Sequence, residues 1–404
     1  MGTQILDLNS KVSRPKIHPK PEQIGALETL RGLGAVIVLT CHLAAFFFPL
    51  AFSNSSAPPR FPLEAWLRGF PGSLLISGRF AVSLFFVLSG VVLSLRYLGP
   101  KAAPEADLAG AAVKRLFRLL PMVTFAALTT LVLGRAGLLF HLQFAQEPEL
   151  AWLSTLKEWQ KPLYELMRQA WYRPITEASA LAPPLYTIGV EIQGSFLIFA
   201  LLFLMRHVQR PRWILGFALL VFHAQSLAGF VAGLMLAEAF QNSARFRHWA
   251  SRVWIAIPTL LVGLWLGSQQ LEGPGTLEHS VGDSFLRPIH FGLYGWQMIG
   301  AILVLAVILG NKTLLRYLDF QVGRWLGSIS YGLYAIHFTV LSSLGCWIVQ
   351  RTPEGNQDWT TLLTAAVISG LASIAAGWAL RGLIDRPSQR LASWAGRFFT
   401  LPRG

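Results

Sequence analysis

Three ionisable side chains, His42, Glu191 and His337, stand inside long apolar runs. Placing such a group at the centre of a bilayer costs about 2.5–3.5 kcal/mol, so each is a functional candidate by default. Histidine serves as general base or as nucleophile, and a carboxylate can orient an imidazole or hold a substrate hydroxyl. A buried carboxylate must be paired or neutral. Glu191 therefore needs a partner, such as Arg79, a histidine or a hydroxyl of the substrate. The seven other histidines fall in tails, loops or span ends. No pair of them has metal-ligand spacing, so no metal is expected.

Arg31 and His42 are eleven residues apart. On a helix this puts them within roughly 20° of one face and about 16 Å apart along the axis. Arg31 can be a membrane-edge anchor and His42 a packing group. Alternatively, His42 is a base reached by a ligand whose charged end Arg31 holds. Cys41 points about 100° away from its neighbour and is read as packing. Lys114, Arg115 and Arg118 put three cations within five residues. Such a cluster anchors a helix at the membrane edge, contacts anionic lipid, or grips a polyphosphate, arginine by bidentate contacts and lysine as a point charge.

The elements that must position these groups are membrane helices. The chain has 404 residues, 53% of them hydrophobic and 13% charged. Soluble domains carry roughly 25% charged residues, so an ordinary soluble enzyme and a disordered chain are both excluded. Two cysteines exclude a disulfide framework. Runs long enough to span, about 20 apolar residues, lie near 30–52, 79–98, 116–133, 185–205, 253–270, 291–310, 326–349 and 361–384. Residues 213–240 are too few for two full spans and too many for one upright helix, and are broken at His223–Ser226.

Charge placement arbitrates. Of the 34 Lys and Arg residues, 24 fall in alternate segments, 1–31, 96–118, 206–212, 245–252, 312–324 and 381–403. Under the positive-inside rule these are cytoplasmic. The alternation survives only if 213–240 crosses twice or not at all. Two crossings give an all-α polytopic membrane protein of about ten transmembrane helices with both termini cytoplasmic. The net charge of +14 is then a consequence of topology, and no nucleic-acid partner is expected. Residues 1–28 read as a basic cytoplasmic tail without the apolar stretch of a signal peptide. Residues 29–391 read as the membrane domain and 392–404 as a short cytoplasmic tail, with no soluble domain expected beyond it. The external loop 134–184 carries Trp152, Trp159 and Trp171, as an interfacial segment would.

Taken together, these residues resemble the membrane acyltransferase family 3, over about residues 25–391. Leu27–Glu28–Thr29–Leu30–Arg31–Gly32 with His42 is similar to its opening R-x10-H motif. Phe85–Phe86–Val87–Leu88–Ser89–Gly90 resembles its second-span signature, with Ser83 where an acid often stands. Lys114–Arg115–x–x–Arg118 resembles its RRxxR motif, and Tyr186–Glu191 its fourth-span stretch, with tyrosine for tryptophan. Phe230–Ala237, Gly327–His337 and Asp385–Arg386–Pro387 resemble the remaining three. Each motif alone is weak. Seven in order, at matching depths, are specific.

The resemblance implies an O-acyltransferase with no permanently bound cofactor. It implies a cytoplasmic acyl-CoA co-substrate, acetyl-CoA above all, and a glycan or glycolipid acceptor outside a bacterial inner membrane. Arg31, Lys114, Arg115 and Arg118 would hold the CoA phosphates. A pantetheine arm on the order of 16–20 Å matches the helical rise from Arg31 to His42. His42 would act as base or accept the acyl group itself. Glu191 would orient His42 or bind the acceptor, and His337 would share the pocket. Tyr334, Ser89 and Tyr331 would contact substrate, and the pocket would open outward beneath 134–184. Membrane lipids are the remaining partners. The rival reading is a transporter or flippase without chemistry, to which ten spans and midplane ionisable groups also belong. No two-fold internal repeat supports it.

Overall fold

The computed structural model describes residues 21–52, 57–99, 102–105, 107–168, 171, 184–223, 225–270, 295–352 and 358–399. Every regular element among them is helical. We number the principal helices α1 (Pro21–Phe47), α2 (Gly78–Leu95), α3 (Asp107–Arg135), α4 (Tyr186–Arg206), α5 (Pro211–Phe222) and α6 (Leu227–Asn242). They continue as α7 (Ala244–Ser251), α8 (Val253–Gly267), α9 (Gly295–Gly310), α10 (Lys312–Leu318), α11 (Gln321–Val340), α12 (Cys346–Arg351), α13 (Trp359–Leu380) and α14 (Arg386–Phe398). Two π-turns, Leu341–Gly345 and Arg381–Asp385, carry α11 into α12 and α13 into α14.

Six of these helical runs are long and apolar enough to cross a membrane, or up to eight when each bent pair counts as one span. The pairs are α7–α8, bent by 82°, and α9–α10, bent by 101°. The second bend is built locally: the Asn311 side chain accepts from the backbone N–H groups of Thr313 and Leu314 and so starts a new helix. These eight correspond to the eight full-length runs of the sequence. Residues 213–240 form two helices, α5 of 12 residues and α6 of 16. At 1.5 Å per residue they measure about 18 and 24 Å, short of a hydrocarbon core about 30 Å thick. The tail 1–20, the segment 172–183 of the long loop and residues 400–404 lie outside the described residues.

Two close crossings set the register of the site. In α1 and α11, Gly32 lies against the backbone of Gly327, and Gly327 against the Glu28 carbonyl. With no Cβ at either contact the backbones approach closely, as small residues allow in membrane helix pairs. The two helices run parallel, so ten residues further along both of them His42 meets His337. In α2 and α6, Gly90 lies on the Phe230 carbonyl and Gly233 on the Val87 carbonyl. This contact holds the short α6 against the core beside Ser89.

Candidate active site

His42 and His337 form a pair. His337 Nε2 lies 3.0 Å from His42 Nδ1, with the rings tilted at 43° and their centroids 5.0 Å apart. His337 Nδ1 lies 3.1 and 2.9 Å from the carbonyl oxygens of Leu333 and Tyr334. Carbonyls only accept, so Nδ1 carries the proton and Nε2 presents its lone pair. His42 Nδ1 must then donate, and it also lies 3.0 Å from the Val38 carbonyl. Both nitrogens that could compete for the role are occupied. The lone pair of His42 Nε2 is the one left to take a proton or attack a carbon.

The pair sits nearer one end of its helices than their middle. His42 is five residues from the end of α1, and Cys41 Sγ packs against Gly78 in the first turn of α2. An aromatic cover closes this end: Phe338 stands edge-on to His42, and Trp152 packs on Phe46 and Phe338 at 5.7 and 6.2 Å. Trp152 belongs to the 3-10 segment Pro148–Thr155 of the long loop. The Phe140 N–H donates to the Ser342 carbonyl and ties that loop to the π-turn after α11. Within the loop His141 is 2% exposed, its Nε2–H donating to the Leu156 carbonyl at 3.1 Å. Burial lowers its pKa below the ordinary histidine value, and the hydrogen bond opposes this only in part.

On the other side of the pair lies a cavity of about 340 Å³. Its deep wall is apolar and aromatic, with Val82, Phe85, Phe86, Ile188 and Tyr334. Its mouth carries Arg31, Arg115, Arg118, Arg381 and Arg386 with Glu28, Asp385 and Gln389. Tyr334 connects the two regions: it lines the cavity, packs edge-on to Phe85 and lies 5.9 Å from the His337 ring. Thr187 donates its hydroxyl proton to the Pro184 carbonyl, so the Tyr334 hydroxyl donates to Thr187, at 2.7 Å. Tyr331 donates to the Leu119 carbonyl. Both tyrosines line the cavity, yet both hydroxyl protons are already committed.

Several expected arrangements are corrected. Glu191 contacts neither histidine nor Arg79 in the bonds it makes; it pairs with Arg115 and accepts from Ser89 at 2.8 Å. Arg115, which also donates to Ser195 at 3.0 Å, is thus held by a carboxylate rather than left open for phosphate. The pair is 13% and 18% exposed. Lys114 does not line the cavity; its stem packs on Gly396 of α14. Among the described residues, none of the long loop lines the cavity, which draws on the Glu28–Arg31 end of α1, the end away from Trp152. His42 and His337 lie beyond the cavity rather than on its wall. Arg31 and Arg118 do face it, and neither makes an ion pair or hydrogen bond among the described residues.

Arg381 and Arg386 are further site residues, which the sequence alone reads as edge charges following the last span. The signal available was the Asp385–Arg386–Pro387 motif itself. It marks where the helix passes the cavity mouth.

A family model described as an acyltransferase domain matches residues 24–382. Acyltransferase R4 of Phoma sp. is 21% identical to this chain over 411 residues, spanning 83% of the chain and 86% of the relative. No solved structure matches.

Proposed function

We propose, since this chain belongs to the membrane acyltransferase 3 family, that it takes an acyl group from cytoplasmic acyl-CoA, acetyl-CoA foremost. The acceptor is a hydroxyl of a glycan or glycolipid on the far side of a bacterial inner membrane. That membrane would be crossed ten times, α5 and α6 each crossing as a short helix and both termini staying cytoplasmic, a count that keeps the alternation of basic segments. The observation that carries the reading is the polarity of the cavity. Arg31 and Arg118, which make no ion pair among the described residues, line one end with Arg381 and Arg386, and the apolar wall leads from them to Tyr334, 5.9 Å from the His337 ring.

The phosphates of the donor bind Arg31, Arg118, Arg381 and Arg386, with bidentate contacts to the guanidinium groups. The arm runs along the apolar wall past Phe85 and Tyr334. Arg31 to His42 is about 16 Å along α1, which suits the length of that arm. The acceptor arrives from the side covered by Trp152. In direct transfer His42 Nε2 removes the hydroxyl proton as oxygen attacks the thioester carbonyl. The thiolate leaves, and the proton on His42 is released to it or to water. In the two-step alternative Nε2 itself attacks and the thiolate leaves; the acceptor oxygen then attacks the acyl-imidazolium, freeing Nε2, and its hydroxyl proton passes to the thiolate or to water. In both, His42 Nδ1 keeps its proton and donates to His337 Nε2, which stabilises the positive charge that develops on the ring. Glu191 neutralises Arg115 and fixes the floor of the cavity.

Incubating the purified protein with radiolabelled acetyl-CoA and an envelope glycolipid extract tests this. The wild type is expected to move label into the extract, and His42→Ala to move none. Equal transfer by both would remove His42 from the chemistry. No transfer by the wild type, with substrate translocated across vesicles instead, would leave the transporter reading.

A further inference from the structure

The donor cavity holds one side chain that a simple polyanion site would exclude. Asp385 closes the π-turn Arg381–Asp385, is 7% exposed and lines the cavity. Its Oδ2 accepts from Gln389 Nε2 at 2.8 Å, whereas Oδ1 is buried and has no hydrogen-bond partner among the described residues. Glu191, in the same cavity, is neutralised by Arg115. Asp385 is the opposite case. Arg381 and Arg386 flank it in the sequence and line the same cavity, yet among the described residues neither forms an ion pair with it. A carboxylate set among these arginines repels phosphate, and a buried oxygen without a donor forfeits a hydrogen bond to a charged group. A ligand that brings an N–H or O–H to Oδ1 offsets these costs.

The position says which part of the ligand that is. α11 and α13 run antiparallel, with Leu380 packed on Gly332. From that level Asp385 lies five residues one way and His337 five residues the other. The carboxylate is therefore about 15 Å from the histidine pair along the helix axes. That is too far for the thioester and just short of the phosphates. Resting on the acyl-CoA reading above, we infer that Asp385 Oδ1 accepts a hydrogen bond from an uncharged donor, an amide N–H or hydroxyl, on the arm that joins the thioester to the phosphates. The site then selects against acyl carriers that are anionic but lack such a group, acyl phosphates among them.

The test uses the whole protein in nanodiscs, with CoA binding measured by calorimetry and KM measured for acetyl-CoA and for S-acetylpantetheine. S-acetylpantetheine keeps the arm and lacks the nucleotide. Asp385→Ala is expected to weaken CoA binding and to raise KM for S-acetylpantetheine, each about tenfold or more. Asp385→Asn, which retains a carbonyl acceptor, is expected to stay within a few-fold of wild type on S-acetylpantetheine. Asp385→Leu fills the space without an acceptor and replaces the alanine variant if that one fails to fold. The sign is decisive, because a carboxylate that only repels phosphate predicts tighter CoA binding on its removal; that result overturns the inference. A loss seen with CoA and absent with S-acetylpantetheine puts the contact on the nucleotide and overturns it equally. Failure of the wild type to bind CoA defeats the donor reading itself, which the same series separates from failure of the Asp385 contact.

Discussion

At the scale of single residues, the pattern of hydrogen bonds around two imidazoles divides their labour. His337 spends its N–H on backbone carbonyls and its lone pair on His42. In the proposed mechanism it acts through His42, as a positioning residue. His337→Phe is therefore expected to lower kcat by roughly 10²–10⁴-fold, the range of a lost general base, while KM for acyl-CoA changes little. His337→Gln, which can accept from His42 through its carbonyl oxygen, is expected to recover part of that loss. Equal effects of the two variants on KM would make His337 part of the donor site instead. The Arg115–Glu191 pair behaves differently. Removing one partner leaves a poorly solvated charge, so Arg115→Met is expected to destabilise the fold by about 3–5 kcal/mol. The double variant Arg115→Met/Glu191→Leu should regain much of it, a comparison that melting in detergent measures. The existence of buried charges was legible in the sequence, because an ionisable residue in an apolar run is conspicuous. Their partners were not. Glu191 and Arg115 are 76 positions apart, on helices whose relative rotation is set by packing, and no local spacing encodes that.

At the scale of elements, the sequence carried the helices well and their joints poorly. The eight apolar runs correspond to six helices and two bent pairs; the shorter helix of each pair, Ala244–Ser251 or Lys312–Leu318, lies in a basic segment outside the apolar run, where hydropathy gives no sign of a helix. Residues 213–240 split where the polar break stood. The fate of 381–398 was hidden for another reason. Its cations looked like edge charges, and only the continuation of α13 through a π-turn into α14 brings them round to the cavity. The long loop is the element with a readable pH response. Burial holds the His141 pKa below its unfolded value, so nothing is gained or lost well above pH 6.5, where both states are neutral. As pH falls below about 6.5 the unfolded state binds a proton that the folded loop resists, and stability drops until the folded pKa is reached. Protection of the 141–156 backbone in hydrogen exchange should thus decrease between pH 7 and pH 5. His141→Gln, which cannot take up the proton, should flatten that dependence. An unchanged slope would place the sensitivity elsewhere.

At the scale of the whole molecule, α13, the π-turn and α14 make a continuous helical run of 40 residues from Trp359 to Phe398, about 60 Å of contour at 1.5 Å per residue. This is twice the thickness of the hydrocarbon core. Its far part, α14, exposes Trp394 and Phe398 beside Arg390 and Arg397, the composition of a helix at a lipid–water boundary. The cavity mouth, with Arg381 and Arg386, sits where the apolar half gives way to the amphipathic half. On the proposed function, the protein thereby carries a ruler against the bilayer, with the donor's entrance at one of its marks. In thicker membranes acyl chains rise past the arginines and the entrance is drawn under the headgroups; in thinner ones it stands clear in water. If His42 and His337 carry the chemistry, KM for acyl-CoA should climb across a series of vesicles of increasing lipid chain length while kcat stays level. The lipid around such an enzyme would be a determinant of how readily it is fed.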